Sequence, residues 1–230
     1  MKTKLNKILI SDIIGWDVVN WSKCLNYWEK YLVESENKVG LEVGGRQGGL
    51  SLWLAHHKMH VVCSDIADTK SAAILLRNKH YLSERITDKI IDATNIPYND
   101  YFDIVVFKSI LGGIGRNDNK DLQIKTIKEI YKSLKPGGML LFAENLDASP
   151  LHRFLRKRCL SWGNSWRYVK VAEMKQFLSD FSQVDFETAG FLGCFGRNEL
   201  QRTFLARADS VLTFFIPQAW RYIIFGVAIK

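Results

Sequence analysis

Glu42, Gly44, Gly45, Arg46 and Gly48 fall in one short stretch, LEVGGRQGG, spanning Leu41 to Gly49. A glycine-rich turn brings the backbone close to a ligand, and such turns between a strand and a helix commonly cradle phosphates. Two residues argue against phosphate here. Glu42 sets a carboxylate where a diphosphate would lie. Arg46 takes the middle place of a Gly-x-Gly-x-x-Gly pattern whose outer places are Gly44 and Gly49, so the glycine that admits a pyrophosphate is missing. No Gly-Lys-Ser/Thr follows, which excludes a P-loop. An acid at this position favours a ligand that carries positive charge.

Other candidate residues follow apolar runs further along: Asp65-Ile66 after HVVCS, Asp92-Ala93 after KII, Lys108-Ser109 after DIVVF, and Glu144 after MLLFA. S-adenosylmethionine suits such a set. It carries a sulfonium, an ammonium, a carboxylate, a ribose diol and an adenine, and no phosphate. Arg46 could then pair with its carboxylate. For an acceptor that needs a general base, the candidates are Glu144, Asp147 and His152, with His152 best placed by intrinsic pKa. His56, His57 and His60 cluster, but no regular element presents them together and no acid completes a set, so no metal site is expected.

These residues need elements to hold them. Trp21, Leu25, Trp28 and Leu32 recur at helical spacing, so an amphipathic helix is expected around Trp16 to Leu32. Strands and helices then alternate: KVGLEV, GGLSLWLAHH, MHVVCSDI, a helix from Ala67 to Arg85 capped by Asp68 or Thr69, DKIIDA, FDIVVFKS, a helix from Asp118 that Pro136-Gly137-Gly138 stops, and MLLFAEN. Alternation of this kind predicts a parallel sheet with helices on both faces, and a ligand at the carboxyl ends of the strands. Beyond Leu146 the expected elements are a helix in VAEMKQFLSDF, a strand in QVDFETAGF, a helix from Glu199 to Thr213 and a strand from Tyr222 to Ile229, the two strands forming an antiparallel edge pair.

LEVGGRQGG, VVCSDI, IIDATNIPY, FDIVVFKSIL and LKPGGMLLFAENL, in this order and spacing, resemble the class I S-adenosylmethionine-dependent methyltransferases over Val39 to Leu146. The family pattern is Glu/Asp-x-Gly-x-Gly-x-Gly, which Glu42, Gly44 and Gly48 match and Arg46 breaks. The resemblance implies a Rossmann-like, doubly wound, mostly parallel seven-stranded α/β sheet and S-adenosylmethionine as cofactor, with S-adenosylhomocysteine as product. It implies that Glu42, Gly44 and the adjoining Gly45 line the methionine end, and that Asp65, 21 residues after Gly44, accepts hydrogen bonds from the ribose hydroxyls. Ile66 would pack on the adenine, Asp92 would take its amino group, and the Ala93 N–H would reach a ring nitrogen. Lys108 and Ser109 would lie beneath the reactive methyl. The helix around Trp16 would close over the cofactor, with Trp16 or Trp21 in contact. GFLGCFGRNELQR and WRYIIFGVAIK resemble bacterial methyltransferases of surface-polysaccharide biosynthesis.

The remaining features bear on partners. The 230 residues carry a net charge of +8, which suits an anionic partner. His152, Arg153, Arg156, Lys157, Arg158, Arg167 and Lys170 lie among Phe154, Leu155, Trp162, Trp166 and Tyr168. This stretch could grip an anionic metabolite such as a diphosphate-linked sugar, rest on an anionic membrane face, bind RNA, or simply be a solvated helix face; with no separate binding module, nucleic acid is the least expected. Cys24, Cys63, Cys159 and Cys194 form no CxxC pair and read as free thiols of a reducing cytoplasm. The first residues show no signal-peptide pattern, and Val211 to Ile229 holds Pro217, Gln218 and Arg221, which argues against a membrane span. A single domain is expected, with residues 1–37 as lid helix, 38–147 as cofactor-binding core and 148–230 on the substrate side. Two other classes stay open: a nicotinamide-dependent oxidoreductase and a catalytically silent binding protein on this fold.

Overall fold

The computed structural model describes residues 5–68, 70–159 and 165–230. Thr69 and Trp162 lie outside them. Two helices precede the sheet, α1 (Lys7–Ile14) and α2 (Val18–Trp28). One helix was expected there. Gly15, at φ +83°, ends the first, and Asp17 turns the chain into the second. Asn6 caps α1 by accepting from the Leu9 N–H at 2.8 Å.

The strands are β1 (Val39–Val43), β2 (His60–Asp65), β3 (Ile86–Ile90), β4 (Phe102–Lys108), β5 (Leu134–Asn145), β6 (Gln183–Ala189) and β7 (Ile223–Ile229). Between and after them run α3 (Gly49–His56), α4 (Lys70–His80), α5 (Leu111–Ile114), α6 (Lys120–Ser133), α7 (Pro150–Cys159), α8 (Val171–Phe177) and α9 (Glu199–Leu212). The order in the sheet is β3-β2-β1-β4-β5-β7-β6. All neighbours up to β5 are parallel, and β7 runs antiparallel to both β5 and β6. This is the expected Rossmann-like α/β sheet with its reversed C-terminal strand. Pro136-Gly137-Gly138 do not stop α6. That helix ends at Ser133, because Leu134 is already extended and paired with Phe102.

Two apolar cores form, one on each face. Alternate strand residues such as Ile104 and Val106 pack with Trp21, Leu25, Trp28 and Trp53 from α2 and α3. Val105 and Phe107 pack with Ile127 and Ile130 of α6 and Met174 and Phe177 of α8. β4 and the second half of β5 are thus covered on both sides, which is why they read as nearly unbroken apolar runs. The Trp28 indole N–H donates to the Gly226 carbonyl at 2.9 Å and pins α2 to β7. Strand order reverses between β1 and β4, so the crevice at their carboxyl ends lies where α/β sheets bind ligands.

Candidate active site

The loop after β1 is built from the inside. Glu42 is buried, and its two oxygens accept from the Leu50 N–H (3.1 Å) and the Ser51 N–H (2.7 Å) in the first turn of α3. Burial raises its pKa, and the helix N–H groups partly offset that. Glu42 therefore holds the helix start, with both oxygens engaged. Gly44 (φ +68°) and Gly48 (φ +73°) take left-handed conformations. A Cβ on Gly44 would also stand 2.5 Å from the Ile110 side chain. Gly45 packs on the Glu42 carboxylate and the Cys63 sulfur. Arg46 is left-handed too, at φ +46°, a conformation that costs a non-glycine residue about 1 kcal/mol. Its N–H is tied to Asp65 Oδ2 at 3.0 Å, and its side chain is exposed.

Asp65 stands at the end of β2, and its other oxygen accepts from the Ile66 N–H at 2.7 Å. Each oxygen keeps a second lone pair on an accessible rim, which suits a diol. Ile66 beside it is exposed, an apolar surface of the kind an aromatic base covers. Asp92 lies two residues past β3. Its Oδ1 accepts from both the N–H and the hydroxyl of Thr94, at 2.8 and 2.9 Å, and Oδ2 has no protein donor among the described residues. Ala93 next to it is half-buried.

At the end of β4, the Lys108 ammonium lies 5.0 Å from the centre of the Trp21 ring. Burial lowers its pKa, against the pull of the nearby Glu42, Glu144 and Asp17 carboxylates. Ser109 is left-handed at φ +59°, and its hydroxyl accepts from the Asn145 amide. Trp16 is half-buried, 5.8 Å from Trp21, with the Arg202 guanidinium 5.5 Å above its ring. The N-terminal helices thus reach Lys108, at the rim of the crevice.

Of the three candidate bases, Glu144 and His152 lie buried inside the protein and Asp147 is ion-paired. Glu144 is fully buried. Its Oε2 accepts from the N–H groups of Ile110 (2.9 Å) and Leu111 (2.7 Å), and Oε1 from Asn145 N–H (2.8 Å). It secures the start of α5, and burial pushes its pKa up to about 7. His152 is buried among Phe191, Phe195 and Tyr222. Its Nε2 lies 2.8 Å from the Phe191 carbonyl, which can only accept, and its Nδ1 2.7 Å from the Ser149 hydroxyl. Burial pushes it down to about 4, so it stays neutral with both nitrogens engaged. Asp147 pairs with Arg153 at 3.1 Å.

Sequence reasoning missed a buried polar cluster that anchors α2. The Tyr222 hydroxyl donates to Asp17, and the Asn20 amide reaches Asp209 at 3.1 Å and Tyr222 at 2.9 Å. Glu199 accepts from the Asp17 and Val18 N–H groups at 3.0 and 2.7 Å. These partners lie far apart along the chain, so no local pattern could show them. Also missed was the cover over α5. Trp166 lies on Gly112 and Gly113, where any Cβ on Gly112 would overlap the indole. Beside it, Arg153, Arg156, Lys157, Trp166, Arg167 and Tyr168 line a cavity of about 280 Å³ that Asp118 and Asp147 also border. The Arg156 guanidinium stacks 3.9 Å from the Tyr168 ring centre.

The strand order and the turn–acid–acid succession along β1, β2 and β3 define the class I S-adenosylmethionine-dependent methyltransferase fold. Residues 41–142, somewhat under half of the chain, match a protein family described as a methyltransferase domain. No curated protein matches the sequence. Among solved structures, Haemonchus contortus phosphoethanolamine N-methyltransferase 2, with phosphomonomethylethanolamine and S-adenosylhomocysteine, aligns at TM-score 0.63 and 15% identity, over 97% of this chain and 56% of that one. This chain thus spans little more than half the length of that enzyme. The [4+2]-cyclase SpnF aligns at TM-score 0.62 and 17% identity over 97% and 91% of the two chains. YcgJ from Bacillus subtilis aligns at TM-score 0.63 and 13% identity over 90% and 98%. Identities this low carry the fold, and the cyclase is a reminder that one fold hosts more than one reaction.

Proposed function

We propose that the protein transfers a methyl group from S-adenosylmethionine to an oxygen or nitrogen of a small or lipid-linked anionic acceptor, such as a sugar intermediate of surface-polysaccharide biosynthesis, in the cytoplasm. The observation that carries the reading is the placement of Asp65 at the switch-point crevice, with lone pairs left for a diol beside a loop that Glu42 and Gly44 shape. In this reading Gly44, Gly45, Arg46 and Gly48 border the methionine end, with Glu42 holding the loop from beneath. Asp65 takes the ribose, Ile66, Asp92 and Ala93 take the adenine, and Lys108, Ser109 and Trp16 close the reacting side.

The cofactor supplies a methyl on a sulfonium, already a good leaving group, so the chain's own contribution is positioning. Trp166, which covers α5 at Gly112 and Gly113, also lines the basic cavity, and Asp147, two residues past β5, borders it. The cations and aromatic rings of that cavity suit an anionic acceptor. The acceptor of the nematode enzyme, phosphomonomethylethanolamine, carries such an anion. With Glu144 and His152 engaged inside the protein, a neutral amine, which needs no base, is chemically the simpler acceptor.

Calorimetric titration with S-adenosylhomocysteine tests the reading, with NADH as control. Micromolar binding of the first alone supports it. Binding of NADH alone turns it to a nicotinamide enzyme, and binding of neither to a silent fold.

A further inference from the structure

Helix α9 carries an apolar stripe that no described residue covers. Leu200, Phe204 and Val211 share one helix face, and Phe214 and Phe215 continue it past the helix end. All five are between 67% and 88% exposed. The opposite face holds the buried Ala206 and Asp209, and α9 packs through it on α2 and on the turn at 193–195. A row of large apolar side chains held in water marks an interaction surface.

The charges say what covers it. Both acids of α9 are engaged within the protein, Asp209 fully buried and Glu199 also paired with Arg202 at 3.5 Å. Glu199 accepts from Asp17 and Val18 N–H, and Asp209 accepts from Leu192 N–H (2.7 Å) and Gly193 N–H (3.0 Å). Arg207 remains exposed on the outside. α7 contains no acid at all, and it exposes Leu151 and Phe154 beside Lys157 and Arg158, with the Arg158 guanidinium 4.6 Å from the Phe154 ring centre. The two helices meet at one rim. Asn145, the last residue of β5, pairs with Ile223, the first of β7. The start of α7 therefore adjoins the chain that leaves α9, and Pro150, Arg153, Ala219 and Trp220 line a cavity between them.

We propose that this rim docks on an anionic membrane surface, with the α9 stripe and Phe214–Phe215 entering the headgroup boundary and the basic side chains meeting lipid phosphates. Among the described residues no helix is long and apolar enough to cross a membrane, so the contact is peripheral. A second copy of the chain would bring a like-charged rim against this one. Docking stands without the methyltransferase reading. Its consequence rests on that reading: the rim is the carboxyl edge of the sheet, so an amphiphilic anionic acceptor would be met beside the cofactor crevice.

The test is co-sedimentation of the full chain with vesicles of phosphatidylcholine alone and of phosphatidylcholine mixed with phosphatidylglycerol. Binding to the mixed vesicles is expected to be at least about ten-fold tighter and to weaken with salt. Phe204→Asp and Phe215→Asp are each expected to reduce it about ten-fold or more, with unchanged circular dichroism and unchanged S-adenosylhomocysteine affinity. Failure to bind anionic vesicles overturns the proposal, and so does binding that neither variant alters. A dimer in analytical ultracentrifugation that Phe204→Asp dissolves overturns it in favour of a second copy. Vesicle binding without S-adenosylhomocysteine binding sinks only the methyltransferase reading.

Discussion

Glu42 and Glu144 are counterparts in the sheet: each is a buried carboxylate near the carboxyl end of its strand, and each accepts two consecutive backbone N–H groups where a helix begins. Glu42 fixes α3 and with it the glycine loop. Glu144 fixes α5 and the backbone of Ile110, whose side chain lies against Gly44. Lys108 stands near both. These two acids thus shape the crevice from below, and the oriented N–H groups are what make their burial tolerable.

This pairing has a pH signature. Burial pushes Glu144 up to about 7, against an ordinary value of about 4.3. Between those values the folded protein binds more protons than the unfolded chain, so stability falls as pH rises through that window, by on the order of 3 kcal/mol for one such group. Asp17, also pushed up to about 7 by burial, acts in the same direction. His152 acts in the opposite one between about 4 and 6.5 and cancels roughly one of the two acids. Melting temperature is expected to drop from mildly acid to mildly alkaline pH. Glu144→Gln should flatten that drop, and equal slopes for both proteins would refute the assignment.

Asp65 has two tasks, since it ties the Arg46 N–H and keeps lone pairs for the ligand. Asp65→Ala is expected to weaken S-adenosylhomocysteine binding by about 10- to 100-fold, the value of losing charge-assisted hydrogen bonds. The sheet should survive, because the side chain lies on the rim. Unchanged affinity in calorimetry would mean that the ribose sits elsewhere.

Burial lowers the Lys108 pKa by desolvating its charged form, and the Trp21 ring face and nearby carboxylates favour that form. Lys108→Met keeps the length and removes the charge. It is expected to raise stability by about 1 kcal/mol while weakening S-adenosylhomocysteine binding several-fold. A variant that is both less stable and equally tight would show that Lys108 serves packing alone.

Much of the fold was legible in the sequence for a simple reason. Strands buried on both faces, such as β4, are continuous apolar runs, and the acids Glu42 and Asp65, within the last two residues of β1 and β2, mark the strand ends. α1 was not legible, because KILISDII is too short to show a helical period before Gly15 breaks it. The end of α6 misled because Pro136 and Gly137 look like a stop, whereas pairing of Leu134 with Phe102 already ends the helix. The site residues were legible as positions but not as partners. Glu42 and Glu144 are bound by backbone N–H groups, which carry no sequence signature. The direction in which His152 points, inward from a basic helix, was equally hidden.

That inward turn can be measured directly. His152 contributes two hydrogen bonds, to the Phe191 carbonyl and the Ser149 hydroxyl, inside an aromatic box. His152→Phe would preserve the box and leave both partners unsatisfied, at a cost of about 2–4 kcal/mol. In the unmodified protein, burial holds the ring down to about 4, and the geometry requires the proton on Nε2, because a carbonyl cannot donate. Imidazole NMR across a pH series should therefore show one ring that stays a neutral Nε2–H tautomer well below the ordinary midpoint of about 6.5, and whose signal is absent from His152→Phe. A midpoint near the ordinary value for that signal would mean that the ring reaches solvent and would restore it as a candidate base.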